Sequence, residues 1–354
     1  MNHSPRYPSD PKLSVIIGVL NGAAYIEGCL DSVYAQGLGQ ENFEILLLDG
    51  GSEDDTVTLA ENYAAERGYK NLHIFPNPRV TLAAAFNIGK DLARAPYIAK
   101  VDAQGRLGEN YHKVLLKELE ANDDIALIGG FFELDGDTAL AKAWAPLFAD
   151  PFLVGPARYR YIKTKQENDA VLYGIYRKSA MDETGDFDEA ILRAEDTDFN
   201  YRMRQKGWKI FIQPEVETTY FVRRTLPQAY KQFFNYAYWR TMFQFKHGLG
   251  LKVRQIVPML WLFGMVDLLL LSFVHPLWAL PLAAYFVLAF VRAKTKMIEP
   301  TPTQLLQGTL LFPTLHGAYA VGSALATFRH YSNRERLEPK DEEMRVKLGY
   351  PAKD

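Results

Sequence analysis

Along roughly the first 250 residues, short apolar runs alternate with stretches whose apolar positions recur at helical spacing. Leu13 to Leu20 (LSVIIGVL) and Phe43 to Gly50 (FEILLLDG) are compact, branched runs that predict strands buried on both faces. Between them, NGAAYIEGCLDSVYAQG places Ile26, Leu30, Val33 and Tyr34 on one helical face. DDTVTLAENYAAERG predicts a second helix, NLHIFPN a third strand, VTLAAAFNIGKDLARA a third helix and PYIAKVDAQ a fourth strand. This strand–helix rhythm predicts an α/β domain with a mainly parallel central sheet. Ligands of such sheets bind beyond the carboxyl ends of the strands, where Asp49 and Asp102 fall.

Further along, IALIGGFFEL reads as a strand and AVLYGIYRKSAM as a strand running into a turn, separated by a stretch rich in proline and aromatic residues up to Tyr161. AEDTDFNYRMRQKGWKIFIQP then opens a helix at Glu195 and Asp196, stops it at Gly207 and continues into a strand. Each candidate also has a purely structural reading. Strand-end carboxylates make turns, Ser52 or Asp54 of GGSEDD would cap the helix starting near Asp55, and acids at 195 and 196 suit a helix dipole. The pair Arg223–Arg224 fits a solvated face equally well.

The pattern changes near residue 255. From Gln255 to Val291 the only charged side chain is Asp267. Val257 to Val274 is long enough to cross most of a bilayer core of about 30 Å. After a turn at His275–Pro276, a second apolar segment ends at Val291. Asp267 inside the first segment is expected to face protein. A third segment, Leu305 to Phe328, carries Gln307, Pro313, His316 and several glycines, and would span, re-enter or lie at the surface. Lys246, Lys252 and Arg254 precede the first span, and Arg292, Lys294 and Lys296 follow the second, which puts both flanks on the cytosolic side. Arg329, Arg334 and Arg336 would break that rule if the third segment spanned. The stretch KQFFNYAYWRTMFQFKHG suits either a membrane surface or core cover. Residues 1–11 read as a loose leader and 331–354 as a polar tail.

Composition adds exclusions. The chain has 354 residues, with 40 Lys and Arg against 42 Asp and Glu, so no global positive field favours nucleic acid. The single cysteine, Cys29, rules out an internal disulfide framework or a cysteine metal cluster. Gly18 to Gly22 lacks dinucleotide-fingerprint spacing, and no phosphate loop, HExxH helix or Gly-x-Ser-x-Gly elbow occurs.

Four stretches in this order, LSVIIGVLNGAAYIEGCLDSV, ILLLDGGSEDDT, FNIGKDLARAPYIAKVDAQGR and AEDTDFNYRMRQKGWKI, resemble the inverting glycosyltransferases of family 2, which have the GT-A fold. The resemblance covers roughly residues 12–245, with residues 246–330 as a membrane-associated helical region. Within the family, NPRVTLAAAFNIG and FVRRTLPQAYKQFFNYAYWR look like membrane-associated transferases of the succinoglycan-synthesis type.

The resemblance implies a role for each matching residue. Leu20, through its backbone, and Asn21 would meet the uridine, Asp49 would accept from the base, and Arg79 would reach the donor. Asp102 would hold a divalent cation (Mg or Mn) against the diphosphate, with Gln104 where many members have a second carboxylate. Asp196, beside Glu195, would be the catalytic base, and Arg223 and Arg224 would face the leaving nucleotide or a lipid-linked phosphate. Gly50 stands where many members carry Asp, and Tyr220 where some carry a metal-binding His. Gln104 therefore implies weak metal affinity. The QxxRW element of processive synthases is missing, which implies one sugar per encounter.

The implied partners are a nucleotide-sugar donor, best matched by a UDP-sugar, a polyprenyl-linked saccharide acceptor, the bacterial plasma membrane and other polysaccharide-assembly proteins, with the catalytic domain cytosolic. A polyprenyl-phosphate hexose synthase and a non-catalytic sugar-nucleotide-binding scaffold subunit are the competing readings.

Overall fold

A computed structural model describes residues 10–155 and 164–332. The leader residues before 10, the end of the Pro- and aromatic-rich stretch and most of the polar tail lie outside the described residues. Two compact units emerge, one of residues 10–133 and 164–220, the other of residues 134–155 and 221–332.

The first unit is built on strands β1 (Leu13–Val19), β2 (Phe43–Asp49), β3 (Leu72–Pro76) and β4 (Tyr97–Asp102). They pair in parallel in the order β3-β2-β1-β4. Every residue of β1 is buried, as its unbroken apolar run requires of a strand covered on both faces. Helix α1 (Ile26–Tyr34) turns Ile26, Cys29, Leu30 and Val33 inward, and α2 (Thr56–Arg67) ends at Gly68 in the left-handed conformation. Helix α3 (Leu82–Leu92) starts at Thr81, whose hydroxyl accepts from the N–H of Ala84. A Cβ on Gly89 would lie 2.7 Å from the Ile16 side chain, so glycine lets α3 lie close on the sheet.

The other half of the sheet is antiparallel. It contains β5 (Arg106–Leu107), β6 (Ile125–Asp135), β7 (Gln166–Glu167), β8 (Ile175–Arg177) and β9 (Lys209–Phe221), with α4 (Tyr111–Ala121), α7 (Lys178–Thr184) and α8 (Glu195–Gln205) between them. The order continues β4-β8-β6-β9-β5, with β7 on β9. The fold is an α/β GT-A-like fold with a mixed sheet. The strand expected from AVLYGIYRKSAM is only Ile175–Arg177, because Tyr173 takes a positive φ of 47° and breaks the extended run.

In the second unit, α5 (Ala139–Trp144) and α6 (Pro151–Val154) accompany α9 (Leu226–Lys246), α10 (Val253–Ser272), α11 (Ala279–Lys296) and α12 (Pro302–Ser332). The two apolar segments form α10 and α11, both long and apolar enough to cross a membrane, with few of their residues buried. Asp267 is exposed on α10, where the sequence suggested a protein-facing carboxylate; its neighbours Val266 and Leu269 are exposed with it. The third segment belongs to one continuous helix, α12, which buries Leu311, Phe312, Leu315, Ala318 and Ser323 within the unit. It packs along α9, whose buried Phe233, Trp239 and Phe243 make the amphipathic stretch core cover. His316 of α12 hydrogen-bonds the Tyr285 hydroxyl and the Phe152 carbonyl, both at 2.8 Å. Beside it, a cavity of about 380 Å³ is lined by apolar side chains such as Phe152, Val257 and Trp261, together with Arg254.

Candidate active site

Strand register sets the first two carboxylates. Val19 pairs with Asp49 and Gly18 with Asp102, so the two acids leave the sheet on either side of β1, about two strand spacings or ~10 Å apart. Leu20, at the end of β1, is 43% exposed, and Asn21 follows it in the left-handed region with φ 50°.

The loops after β1 and β2 are stitched together. The N–H of Asn21 donates to Ser52 Oγ at 2.8 Å, and its Oδ1 accepts from the N–H of Glu53 at 2.9 Å. The N–H of Gly22 donates to Thr56 Oγ1, and that of Ala23 to Asp54 Oδ2. Asp49 accepts from the Ser52 hydroxyl at 2.6 Å and from the N–H groups of Gly51 and Ser52. Ser52 and Asp54, readable as helix caps, thus bridge two loops, although Asp54 also accepts from the N–H of Thr56. The Thr56 hydroxyl, then the Ala23 and Thr56 N–H groups, hold the Asp54 carboxyl below its usual range.

On the other side of β1, Asp102 is half-buried at the head of a tight turn, in which the Gly105 N–H donates to the Asp102 carbonyl at 2.7 Å. A Cβ at Gly105 would sit 2.9 Å from that carbonyl and 3.1 Å from the Tyr173 ring. Gln104 is exposed on the turn. Below it, the Cys29 thiol donates to the same carbonyl at 3.6 Å, and burial pushes its pKa up to about 12, so it stays protonated.

The third corner is the start of α8. Glu195 is buried and its Oε1 lies 3.1 Å from Lys100 Nζ, which sits 4.4 Å from the centre of the Phe86 ring. Asp196 is half-buried, and its Oδ1 accepts from the N–H and hydroxyl of Thr197. Burial raises the Glu195 carboxyl above its ordinary range against the pull of Lys100. Burial opposes the charge of Lys100, but Glu195, Asp196, Tyr176 and Asp102 outweigh it and keep the ammonium protonated. Ala194, just before the helix, has φ 66°. With Asn21, Val80 (φ 62°), Asn110 (φ 56°) and Tyr173, it makes five non-glycine residues with positive φ among the described residues of this unit. For the β-branched Val80 this is a strained position of the kind that clusters at functional sites.

The structure therefore gathers Leu20, Asn21, Asp49, Asp102, Gln104, Glu195 and Asp196 in one unit. Arg79 belongs to the same unit, and its guanidinium is 2.6 Å from Glu189, which also accepts from Asn87. Arg223 and Arg224 belong to the second unit. There Arg224 Nε lies 3.0 and 2.9 Å from the two oxygens of Asp137, and the Arg223 carbonyl accepts from the Trp144 indole at 3.1 Å. Sequence reasoning passed over Lys100, although a lysine inside an apolar strand two residues before a strand-end Asp is a visible signal. It also passed over Glu189, whose exposed-looking context in FDEAI carries no such signal.

Residues 14–185 match the Glycosyl transferase family 2 model. The chain is 24% identical over 257 residues to a dolichyl N-acetyl-alpha-D-glucosaminyl phosphate 3-beta-D-2,3-diacetamido-2,3-dideoxy-beta-D-glucuronosyltransferase of Methanococcus voltae, covering 71% of this chain and 77% of the relative. It is also 24% identical over 247 residues to the succinoglycan biosynthesis protein ExoA of Rhizobium meliloti, covering 69% and 74%. Among solved structures, the mannosyltransferase PcManGT from Pyrobaculum calidifontis, in complex with GDP-Man and Mn2+, superposes with a TM-score of 0.57 at 17% identity. That match covers 93% of this chain and 90% of that one, and it is a likeness of fold. Residues 14–185 thus form a family 2 glycosyltransferase region on a GT-A-like fold, and the chain is a sugar-transferring enzyme.

Proposed function

We propose that this chain transfers one hexosyl group, with inversion, from a nucleoside-diphosphate sugar, preferably a UDP-sugar, to a lipid-linked saccharide during exopolysaccharide or cell-surface glycan synthesis. The observation that supports the reading is that Asp49 and Asp102 end the strands on either side of β1, while Glu195, next to Asp196, pairs with Lys100 two residues before Asp102. Asp49 and the Asn21 loop bind the nucleoside. Asp196 accepts the proton of the acceptor hydroxyl as it attacks the anomeric carbon, and the nucleoside diphosphate leaves from the opposite face. A positioned base contributes roughly 10²–10⁴ in rate.

The donor set of the chain suits a hard divalent cation held mostly by others. Among the described residues no group of three or more His, Cys, Asp or Glu side chains could hold a metal. Asp102 offers one carboxylate and Gln104 one amide oxygen, which fits a Mg or Mn ion completed by substrate phosphates and water. When bound, such an ion would neutralise charge on the departing diphosphate.

Two features support a membrane-borne acceptor. Helices α10 and α11 expose apolar surface that hydrocarbon would cover, and the apolar cavity beside Trp261 and Arg254 suits the chain of a lipid phosphate. Membranes containing the full chain should be offered a panel of nucleotide sugars, with and without divalent ion. Transfer to a polyprenyl diphosphate saccharide supports this reading. Product formed only on polyprenyl monophosphate would replace it with a hexose–lipid synthase, and no transfer to any lipid would overturn it.

A further inference from the structure

Lys100 has no role in the chemistry described so far, yet it occupies an expensive place. It lies on β4 two residues before Asp102, so the two side chains leave the same face of the sheet. Its side chain is 14% exposed and that of Glu195 is 11% exposed. A charge at that depth is costly unless it is paired and well placed. Lys100 meets both conditions: its ammonium is 3.1 Å from Glu195 Oε1 and stands over the Phe86 ring. Asp102 and Asp196 are both within electrostatic reach of it.

The other end of the pair is equally constrained. Glu195 is the first residue of α8, and the preceding Ala194 holds a left-handed conformation that is unfavourable for a residue with a Cβ. Three acids, Glu195, Asp196 and Asp198, crowd the first turn. Asp198 is committed to Arg202 at 2.9 Å, one turn further along the helix. Among the described residues, the hydrogen bonds of Asp196 go to the neighbouring Thr197, within the turn itself, and do not fix where the turn sits over the sheet. The contact that ties this turn to strand β4 is Lys100 with Glu195.

We propose that Lys100 is a positioning residue: by clamping Glu195, it holds the Asp196 carboxylate in register with Asp102 across the strand edge. Glu195 is then a tether and not a second base. The inference rests on Asp196 being the base. The clamp acts on geometry, so its loss should lower turnover while the nucleotide, bound at the Asn21–Asp49 corner, still binds.

The test compares Lys100→Met, Lys100→Arg, Glu195→Gln and the double variant Lys100→Met/Glu195→Gln with wild type, all as full-length protein in membranes. Turnover and UDP affinity are read separately. Lys100→Met should lower kcat by about 10- to 100-fold, the scale of a misplacement near 1 Å, with UDP affinity within about threefold of wild type. Lys100→Arg should recover most of the loss, and the double variant should lose no more than the worse single one, since both remove the same contact. If Lys100→Met does not fold, Glu195→Gln and Lys100→Arg carry the same comparison. A kcat within threefold of wild type in Glu195→Gln or Lys100→Met, while Asp196→Asn is inactive, would overturn the clamp and leave the base intact. An active Asp196→Asn would instead overturn the reading on which the clamp rests.

Discussion

The two units treat apolar side chains in opposite ways. In the first, Leu13, Ile16, Ile17, Leu47 and Phe199 are fully or almost fully buried, and the charges that share the interior, such as Glu44 and Lys100, have partners. In the second, Leu260 and Phe263 are each 64% exposed and Phe273 is 83% exposed. Apolar surface of that extent along two whole helices is stable where the surroundings are hydrocarbon and not water. The contrast is the one expected of a chain that meets both water and hydrocarbon, and substitutions should test that reading.

The largest effect is expected inside the first unit. Glu44 is fully buried, accepts from Ser14 at 2.7 Å and forms an ion pair with Arg94. Arg94→Met would leave that carboxylate in the core without its cation, at a cost of about 3–5 kcal/mol, read as a lower denaturation midpoint. The second substitution sharpens the contrast directly. Phe263→Asp, near the middle of α10, would cost about 2.5–3.5 kcal/mol in a bilayer, but would stay within about 0.5 kcal/mol on a water-facing surface. Flotation of membranes and carbonate extraction should show the variant lost from the membrane fraction; full retention would place α10 in water.

A third effect is spread over several pH units. His112 of α4 is buried, neither ring nitrogen has a hydrogen-bond partner among the described residues, and burial lowers its pKa from 6.5 to about 3. A depressed pKa means that the folded state binds fewer protons than the unfolded one. The contribution is present above about pH 6.5 and is lost as pH falls toward 3, by up to about 1.4 kcal/mol per pH unit. His112→Leu should therefore flatten the fall in melting temperature across that window, and an unchanged slope would contradict this account.

The parallel half of the sheet was legible because β1 and β2 are long apolar runs that only a doubly covered strand needs. The short β5 and β7 were not, since two residues carry no period. Two of the glycines that the third segment carries, Gly308 and Gly322, serve close packing. A Cβ on Gly322 would lie 2.5 Å from the Phe234 carbonyl of α9. At the site, Asp49, Asp102 and Asp196 were visible as acids at element ends. Lys100 and Glu189 act through contacts with residues 95 and 110 positions away, Glu195 and Arg79, and no local pattern encodes such distances.

The central claim is that Asp196 is the base at the edge of a sugar-nucleotide site. It is tested most directly by measuring transfer and UDP affinity side by side in full-length Asp196→Asn. The account predicts that transfer falls by about 10²- to 10⁴-fold while UDP binds as in wild type. Transfer at the wild-type rate would contradict it.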